Sequence, residues 1–341
     1  MNVAPAAAAT MPVALKPAYE GSRSLITGGL GLIGSALARR LVELGAEVSI
    51  IDALVPESGA NLYNIASIRE HVRVQQVDVR SSDALPALLA GHDYVFNLAG
   101  QASHLASMTD PLTDLDVNCR AQLTLLEACR QMIPAAVIVF ASTRQIYGRP
   151  SYLPVDERHP LRPIDINGVN KMAGEAFHLV YHHAFGLKTT ALRLTNTYGP
   201  GMRIKDARQT FVGIWLRKII EDLPFEVWGG VQQRDFTYVD DAVEAFLLAA
   251  ACPQTQAQAF NLGGDKVVSL RELAELLIAA NGRGSYQLRS FPVERQRIDI
   301  GDYYADDGRF RQLTGWRPRV TLEQGLRRTL DYFRVNFAHY V

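Results

Sequence analysis

The stretch Thr27-Gly28-Gly29-Leu30-Gly31-Leu32-Ile33-Gly34 decides the fold. It follows a short apolar run, Ser24 to Thr27, and opens a helix-period segment that reaches Leu44. In that context Gly28 allows a tight turn, Gly31 lets the main chain approach a pyrophosphate, and Gly34 lets helix and strand pack closely. The phosphates then lie against the helix start at Leu32 and Ile33, where free N–H groups and the helix dipole favour an anion.

The same alternation continues downstream. Apolar runs recur at Glu47 to Asp52, Val72 to Val77, Tyr94 to Leu98, Ala136 to Ala141 and Lys188 to Leu194, with helical stretches such as Thr113 to Arg130 and Asn170 to Phe185 between them. Continuous apolar strands separated by amphipathic helices predict a parallel sheet covered on both faces, the doubly wound Rossmann type of α/β fold. Beyond Leu194 the pattern loosens into turn-rich segments and a helix from Ser269 to Ala280, which predicts a smaller C-terminal substrate-binding lobe. The expected division is a loose Ala- and Pro-rich tail over 1–20 and a nucleotide-binding domain over 21–195, to which 235–263 returns. The lobe then comprises 196–234 and 264–341.

Asp52 ends the second strand about twenty residues past the glycines, where a carboxylate accepts hydrogen bonds from ribose hydroxyls and repels a 2′-phosphate, so NAD is expected rather than NADP. Asp78-Val79 follows the third strand at a position suited to the adenine edge. Leu98-Ala99-Gly100 follows the fourth, where small residues let a cofactor lie across the strand ends.

Composition excludes several classes. Lys plus Arg and Asp plus Glu are both 35, so the net charge is zero and no nucleic acid or anionic membrane surface is expected as partner. No run approaches the roughly 20 apolar residues of a membrane span. The first twenty residues lack the basic start and apolar core of a secretory signal. Cys119, Cys129 and Cys252 have no metal-ligand spacing and sit in apolar helical contexts, so no metal is expected. They read as buried thiols of a cytoplasmic protein.

With these motifs in order, the sequence resembles the extended short-chain dehydrogenase/reductase family, in particular its nucleotide-sugar epimerases, dehydratases and decarboxylases. The resemblance runs from about Ser24 to about Arg334. Besides the glycine loop it rests on Asp78-Val79-Arg80, Asn97-Leu98-Ala99-Gly100, Ala141-Ser142-Thr143 with Ile146-Tyr147-Gly148, and Arg193-Leu194-Thr195-Asn196-Thr197-Tyr198-Gly199-Pro200. Arg234-Asp235-Phe236-Thr237-Tyr238-Val239-Asp240-Asp241, Asn261-Leu262-Gly263-Gly264 and Leu313-Thr314-Gly315-Trp316-Arg317-Pro318 complete the series.

The resemblance implies oxidation of a sugar hydroxyl by a Tyr-x-x-x-Lys pair, and half of that pair is missing. Lys171 stands in Asn170-Lys171-Met172-Ala173-Gly174-Glu175, where the family's lysine binds the nicotinamide ribose. Four residues earlier is Asn167, and none of the chain's six lysines has a tyrosine at that spacing. An amide exchanges no proton near neutral pH, so Asn167 is restricted to hydrogen bonding. Candidate substitutes are Tyr147, Lys171, His104 and Asp165, or Thr143 with a water. Ser142 and Thr143 match the hydroxyl pair that binds the reacting sugar oxygen. The next residues, Arg144 and Gln145, replace the acids that dehydratases and decarboxylases of the family carry, which favours epimerisation through a keto sugar. The alternatives are a catalytically silent relative that binds NAD and a nucleotide sugar, or a dehydratase or decarboxylase of the same family.

For the substrate, a nucleotide-diphosphate sugar, the resemblance implies Asn196 and the diphosphate-gripping Arg234, with Ser103 and His104 in the loop after the fourth strand. Phe211 and Trp228 are candidates to flank a base. In Glu294-Arg295-Gln296-Arg297-Ile298-Asp299 the family's arginine register holds Gln296, and Arg295 or Arg297 is the expected compensation. The helices at Thr113 to Arg130 and Asn170 to Phe185 correspond to those that form the interface of dimeric relatives, so a homodimer is expected.

Overall fold

The computed structural model describes residues 14–56, 58–206, 210–292 and 297–341. Its centre is a seven-stranded sheet built from β1 (Arg23–Thr27), β2 (Glu47–Asp52), β3 (Val72–Gln76), β4 (Tyr94–Asn97), β5 (Val137–Thr143), β6 (Lys188–Leu194) and β10 (Gln258–Asn261). The order is β10-β6-β5-β4-β1-β2-β3 and every neighbouring pair is parallel. The chain runs outward from β1 to β3, then returns to place β4 on the other side of β1. The crevice at the carboxyl ends of β1 and β4 is therefore the switch point where ligands bind in such sheets.

The strands read as unbroken apolar runs because both faces are covered. Helices Leu32–Glu43 and Val239–Ala251 pack on one face, and helices Ala121–Met132 and Ile166–Phe185 on the other. Ile26, Ile50, Phe96 and Val139 belong to the first core, and Leu25, Ile51, Val95 and Ile138 to the second, as strand alternation requires.

Beside the central sheet lies a three-stranded sheet ordered β11-β9-β7, from β7 (Asn196–Tyr198), β9 (Gln233–Tyr238) and β11 (Val267–Ser269), and one apolar core runs through both. The second lobe holds a parallel pair of β8 (Phe225–Trp228) and β12 (Tyr286–Arg289). Helices Phe211–Ile220, Leu270–Asn281 and Leu322–Asn336 complete it. Among the described residues no helix is long and apolar enough to cross a membrane, and no group of three or more His, Cys, Asp or Glu residues is placed to hold a metal.

Two expectations change. Part of the span expected to be a loose tail is ordered, while 1–13 lie outside the described residues: Leu15–Tyr19 is helical and Tyr19 is fully buried. Its hydroxyl donates to Leu247 O at 2.7 Å and its ring packs 4.9 Å from that of Tyr94. An aromatic body with a satisfied polar tip anchors the segment despite its composition. The single helix expected over Thr113 to Arg130 is instead Pro111–Leu115, a π-turn at Asp116–Arg120, then Ala121–Met132. That widened turn carries Asn118, which reappears in the site.

Candidate active site

The glycine loop forms the floor of the crevice. Gly28 has φ of +68°, and a Cβ there would lie 2.9 Å from Ala99 N, so only glycine fits. A Cβ on Gly34 would collide with Gly28 O, which enforces the helix–strand contact. At Gly31 a Cβ would meet only Gly28 O, at an ordinary 3.5 Å. Protein packing therefore does not demand glycine at 31, whereas a ligand lying on the loop does. Gly31 is also the N-cap of Leu32–Glu43 and gives no side-chain cap, which leaves the first-turn amides of Leu32 and Ile33 for an anion.

The rim is held by polar contacts between strand ends. Thr27 Oγ1 donates to Asn97 Oδ1 at 2.9 Å and accepts from the amides of Leu98 and Ala99, both at 3.1 Å. Asp52 accepts from Leu30 N at 3.0 Å and Leu54 N at 2.9 Å. Burial pushes its carboxyl above the usual range, while those two amides pull it back. Asp78 is gripped by the Arg80 guanidinium, which holds its carboxyl below the usual range, and Val79 is buried beside it.

Beyond the rim lies a buried polar network centred on Asp114. Its two carboxylate oxygens accept from Asn170 Nδ2 at 2.8 Å and Asn167 Nδ2 at 3.1 Å. Asn167 Nδ2 also donates to Gln101 O at 2.7 Å, and Asn118 Nδ2 reaches the same carbonyl at 2.9 Å. Lys171 Nζ donates to Ala141 O at 3.1 Å, and a Cβ on Gly100 would come within 2.8 Å of both that amine and Asn118 Oδ1. Burial pushes the Lys171 amine down to about 8, against an opposing pull from Asp114. The sequence reading missed Asp114, Asn118 and Asn170. The available signal was spacing: Asp114 and Asn118 are one turn apart, as are Asn167 and Lys171.

Two sequence candidates are corrected. Tyr147 is fully buried, donating to Asn261 Oδ1 at 2.7 Å and accepting from Arg193 at 2.6 Å, with burial pushing its hydroxyl up to about 12. Its hydroxyl is thus fully engaged by protein partners. Ser142 likewise turns inward, its hydroxyl donating to Glu175 Oε2 at 2.6 Å, and Glu175 pairs with Arg193 beneath the site. Thr143 is half-buried at the end of β5 and accepts from Gln145 N, which leaves its own O–H free to donate.

Asp165 caps the helix Ile166–Phe185 and accepts from Gly168 N and Gln145 Nε2, both at 2.6 Å, with His104 Nδ1 3.1 Å away. Ser103 is occupied as the N-cap of His104–Thr109. In the lobe, Asn196 Nδ2 donates to Asp235 O at 3.1 Å. Arg234 is buried and donates to Gly301 O and to Asp299 Oδ1. Arg297 is exposed, while Arg295 and Gln296 lie outside the described residues. Phe211 packs against Trp215, and Trp228 donates to Glu226. Cys129 and Cys252 are buried as expected, whereas Cys119 is half-exposed.

Residues 24–263 match the NAD dependent epimerase/dehydratase family. The chain belongs to that family. Among its relatives, the UDP-glucose 4-epimerase of Mycolicibacterium smegmatis is 30% identical over 92% of this chain and 98% of its own. A protein of Methanocaldococcus jannaschii named as a putative UDP-glucose 4-epimerase is 29% identical over 92% and 98%. The UDP-glucose 4-epimerase of Thermus thermophilus, solved in complex with NAD, superposes with a TM-score of 0.80 at 30% identity, covering 92% of this chain and 99% of that one.

NAD is the cofactor of this family, and the residues fit it. The open face of Gly31, the uncapped amides of Leu32 and Ile33 and the carboxylate of Asp52 suit its phosphates and ribose, while Lys171 and Asn118 crowd against Gly100.

Proposed function

We propose that the protein is an NAD-dependent epimerase of nucleotide-diphosphate sugars, working through a transient keto sugar, with Lys171 and Thr143 handling the proton in place of a tyrosine. Bound NAD supplies the acceptor and donor of hydride. The sugar hydroxyl gives its proton to the neutral Lys171 amine and takes it back when the keto sugar is reduced, while Thr143 donates a hydrogen bond to the reacting oxygen. Lys171 is anchored on Ala141 O, two residues before Thr143 on the same strand, so amine and hydroxyl share one end of β5. With its pKa near 8, the amine exchanges a proton close to neutral pH, which Asn167 cannot do. This pairing carries the reading. Gln145, spent on Asp165, and Arg144 offer no acid for elimination.

Arg234 and Asn196 are the candidates for the diphosphate, with fork-shaped and amide donors that would have to leave Asp299 and Asp235 O to reach it. Exposed Val169, Val180, Phe185 and Leu123 give the two outer helices an apolar face suited to a homodimer. Free cysteines suit a cytoplasmic setting.

The test is incubation of the NAD-loaded protein with UDP-, dTDP-, CDP- and GDP-sugars, following reduced-nicotinamide absorbance and identifying products by NMR. Inverted sugar with the cofactor regenerated is the expected result. A second reading, a silent nucleotide-sugar binder, is favoured by the way Asn167 is tied to Gln101 O and Asp114. Measurable binding with no product across the whole set would decide for it.

A further inference from the structure

Three remote parts of the chain meet on one buried side chain, Asn64, in the helical segment Leu62–His71 that leads into β3. Its Nδ2 donates to Leu30 O at 2.9 Å and to Gly201 O at 3.1 Å, and its Oδ1 accepts from the Tyr340 hydroxyl at 2.5 Å. Leu30 belongs to the glycine loop, Gly201 follows β7, and Tyr340 lies 276 residues beyond Asn64. Both amide hydrogens are used, so the oxygen must face the hydroxyl. Tyr340 spends its one hydrogen on Asn64, and the Tyr332 hydroxyl, 2.6 Å away, donates to it in turn. Gly201 has φ of +90°, and a Cβ there would come within 3.0 Å of Asn64 Oδ1, so the main chain comes as near as a glycine permits.

The junction acts on the part of the glycine loop that packing leaves least defined. Leu30 is flanked by Gly29 and Gly31, and a Cβ on Gly31 would meet only Gly28 O. The Leu30 peptide is instead fixed by hydrogen bonds from outside the loop. Its N–H donates to Asp52 Oδ2, and its carbonyl accepts from Asn61 N at 3.0 Å as well as from Asn64. One residue further on begins the helix start whose amides at Leu32 and Ile33 are open to an anion. Amides already held in place bind a phosphate without the cost of ordering them. A fully satisfied buried network defines position more sharply than apolar contact does.

We infer that Asn64 and Tyr340 are positioning residues for NAD, through which the far end of the chain holds the glycine loop in its phosphate-binding form and sets how long the cofactor is retained. Neither side chain touches the cofactor; both act through the Leu30 carbonyl. The inference goes beyond the epimerase reading and does not rest on it, because it concerns the family's cofactor and no sugar step.

The deciding experiment loads the full chain with NAD, dilutes it, and follows NAD release by ultrafiltration, with deuterium uptake measured in parallel on the peptide spanning Thr27 to Gly34. Tyr340→Phe keeps the ring and removes the hydroxyl; it is expected to release NAD about tenfold faster, as for one net hydrogen bond, and to speed deuterium uptake in that peptide. Asn64→Asp keeps an acceptor for Tyr340 but loses the donors to Leu30 O and Gly201 O, and should release NAD at least as fast. Tyr19→Phe is the control for stability alone, since that buried hydroxyl donates instead to Leu247 O. It is expected to lower the melting temperature and leave NAD release unchanged. Unaltered release and uptake in Tyr340→Phe overturn the inference and leave the epimerase reading standing. Equal acceleration in Tyr19→Phe also overturns it, reducing the junction to general stability. Faster release in Tyr340→Phe alone supports it even where no nucleotide sugar is inverted.

Discussion

Asn167 donates its side-chain amide to Asp114 Oδ2 at 3.1 Å, joining the helix that carries Lys171 to the segment that leads into the π-turn. The contact sits where the family's tyrosine would stand, four residues before the lysine. A tyrosinate would have set a negative charge beside the lysine. Here the charge belongs to Asp114, fully buried, fixed by two amides and reaching Lys171 through space. The anion beside the lysine persists although its chemical identity has changed.

The Lys171 amine makes stability depend on pH in a defined direction. Its pKa falls from an ordinary 10.5 in the unfolded chain to about 8 in the folded one. Between those values the unfolded chain holds the extra proton, so stability rises with pH across that window. The penalty is complete below about 8 and gone above 10.5, and amounts to about 3 kcal/mol as an order of magnitude. Urea unfolding of cofactor-free Lys171→Met is therefore expected to show a gain over the unmodified protein at neutral pH that shrinks toward pH 10.5. A difference that stays constant over that range would sink the assignment.

Asp114→Asn tests the electrostatic half of the same pair. Asp114 raises the Lys171 pKa, so its neutralisation drops that pKa further below about 8. The limb of the pH–rate profile that reports the free amine is expected to move to lower pH by about one unit. The asparagine cannot accept from both Asn167 and Asn170, which costs about 1–3 kcal/mol in thermal or urea unfolding. A lower stability with an unmoved limb would leave Asp114 a purely structural residue.

What the sequence disclosed follows from locality. β1 through β6 are continuous apolar runs because helices cover both faces, and the Gly28, Gly31 and Gly34 spacing acts within one turn. Asp52, Lys171 and Thr143 are legible for the same reason, since strand ends and helix phase place them. The inward turn of Ser142 was not legible, because Glu175 lies 33 residues away on another helix. Tyr147 looks chemical in its motif until Asn261, 114 residues on, accepts from its hydroxyl. Asp114 escaped notice because the two amides it receives, from Asn167 and Asn170, lie 53 and 56 residues away on another helix.

Tyr147 and Glu175 give contrasting expectations. Tyr147→Phe removes a hydroxyl that serves Asn261 and Arg193, so stability should fall by about 1–3 kcal/mol while kcat changes little. A loss of about a thousandfold in kcat, without unfolding, would restore Tyr147 as the catalytic group. Glu175→Gln instead strands the buried Arg193 guanidinium, and about 3–5 kcal/mol of stability is expected to go with it. Both are read by urea unfolding beside steady-state kinetics.

The helix Ile166–Phe185 carries Val169, Ala173, Ala176 and Val180 at successive spacings of four, three and four, one continuous stripe on an α-helix. Val169 is 43% and Val180 54% exposed, and Leu123 on the neighbouring helix adds to the same side of the sheet. Small and β-branched side chains would let a second copy approach closely, and a stable dimer needs roughly 800 Å² buried per partner across such a stripe. Light scattering on the unmodified protein is expected to give the mass of a dimer. Val180→Asp places a charge in that contact, far from Lys171 and the crevice, and should shift the mass toward monomer with the fold intact by circular dichroism. An unmodified protein that is monomeric at every concentration would remove the stripe from consideration as an interface.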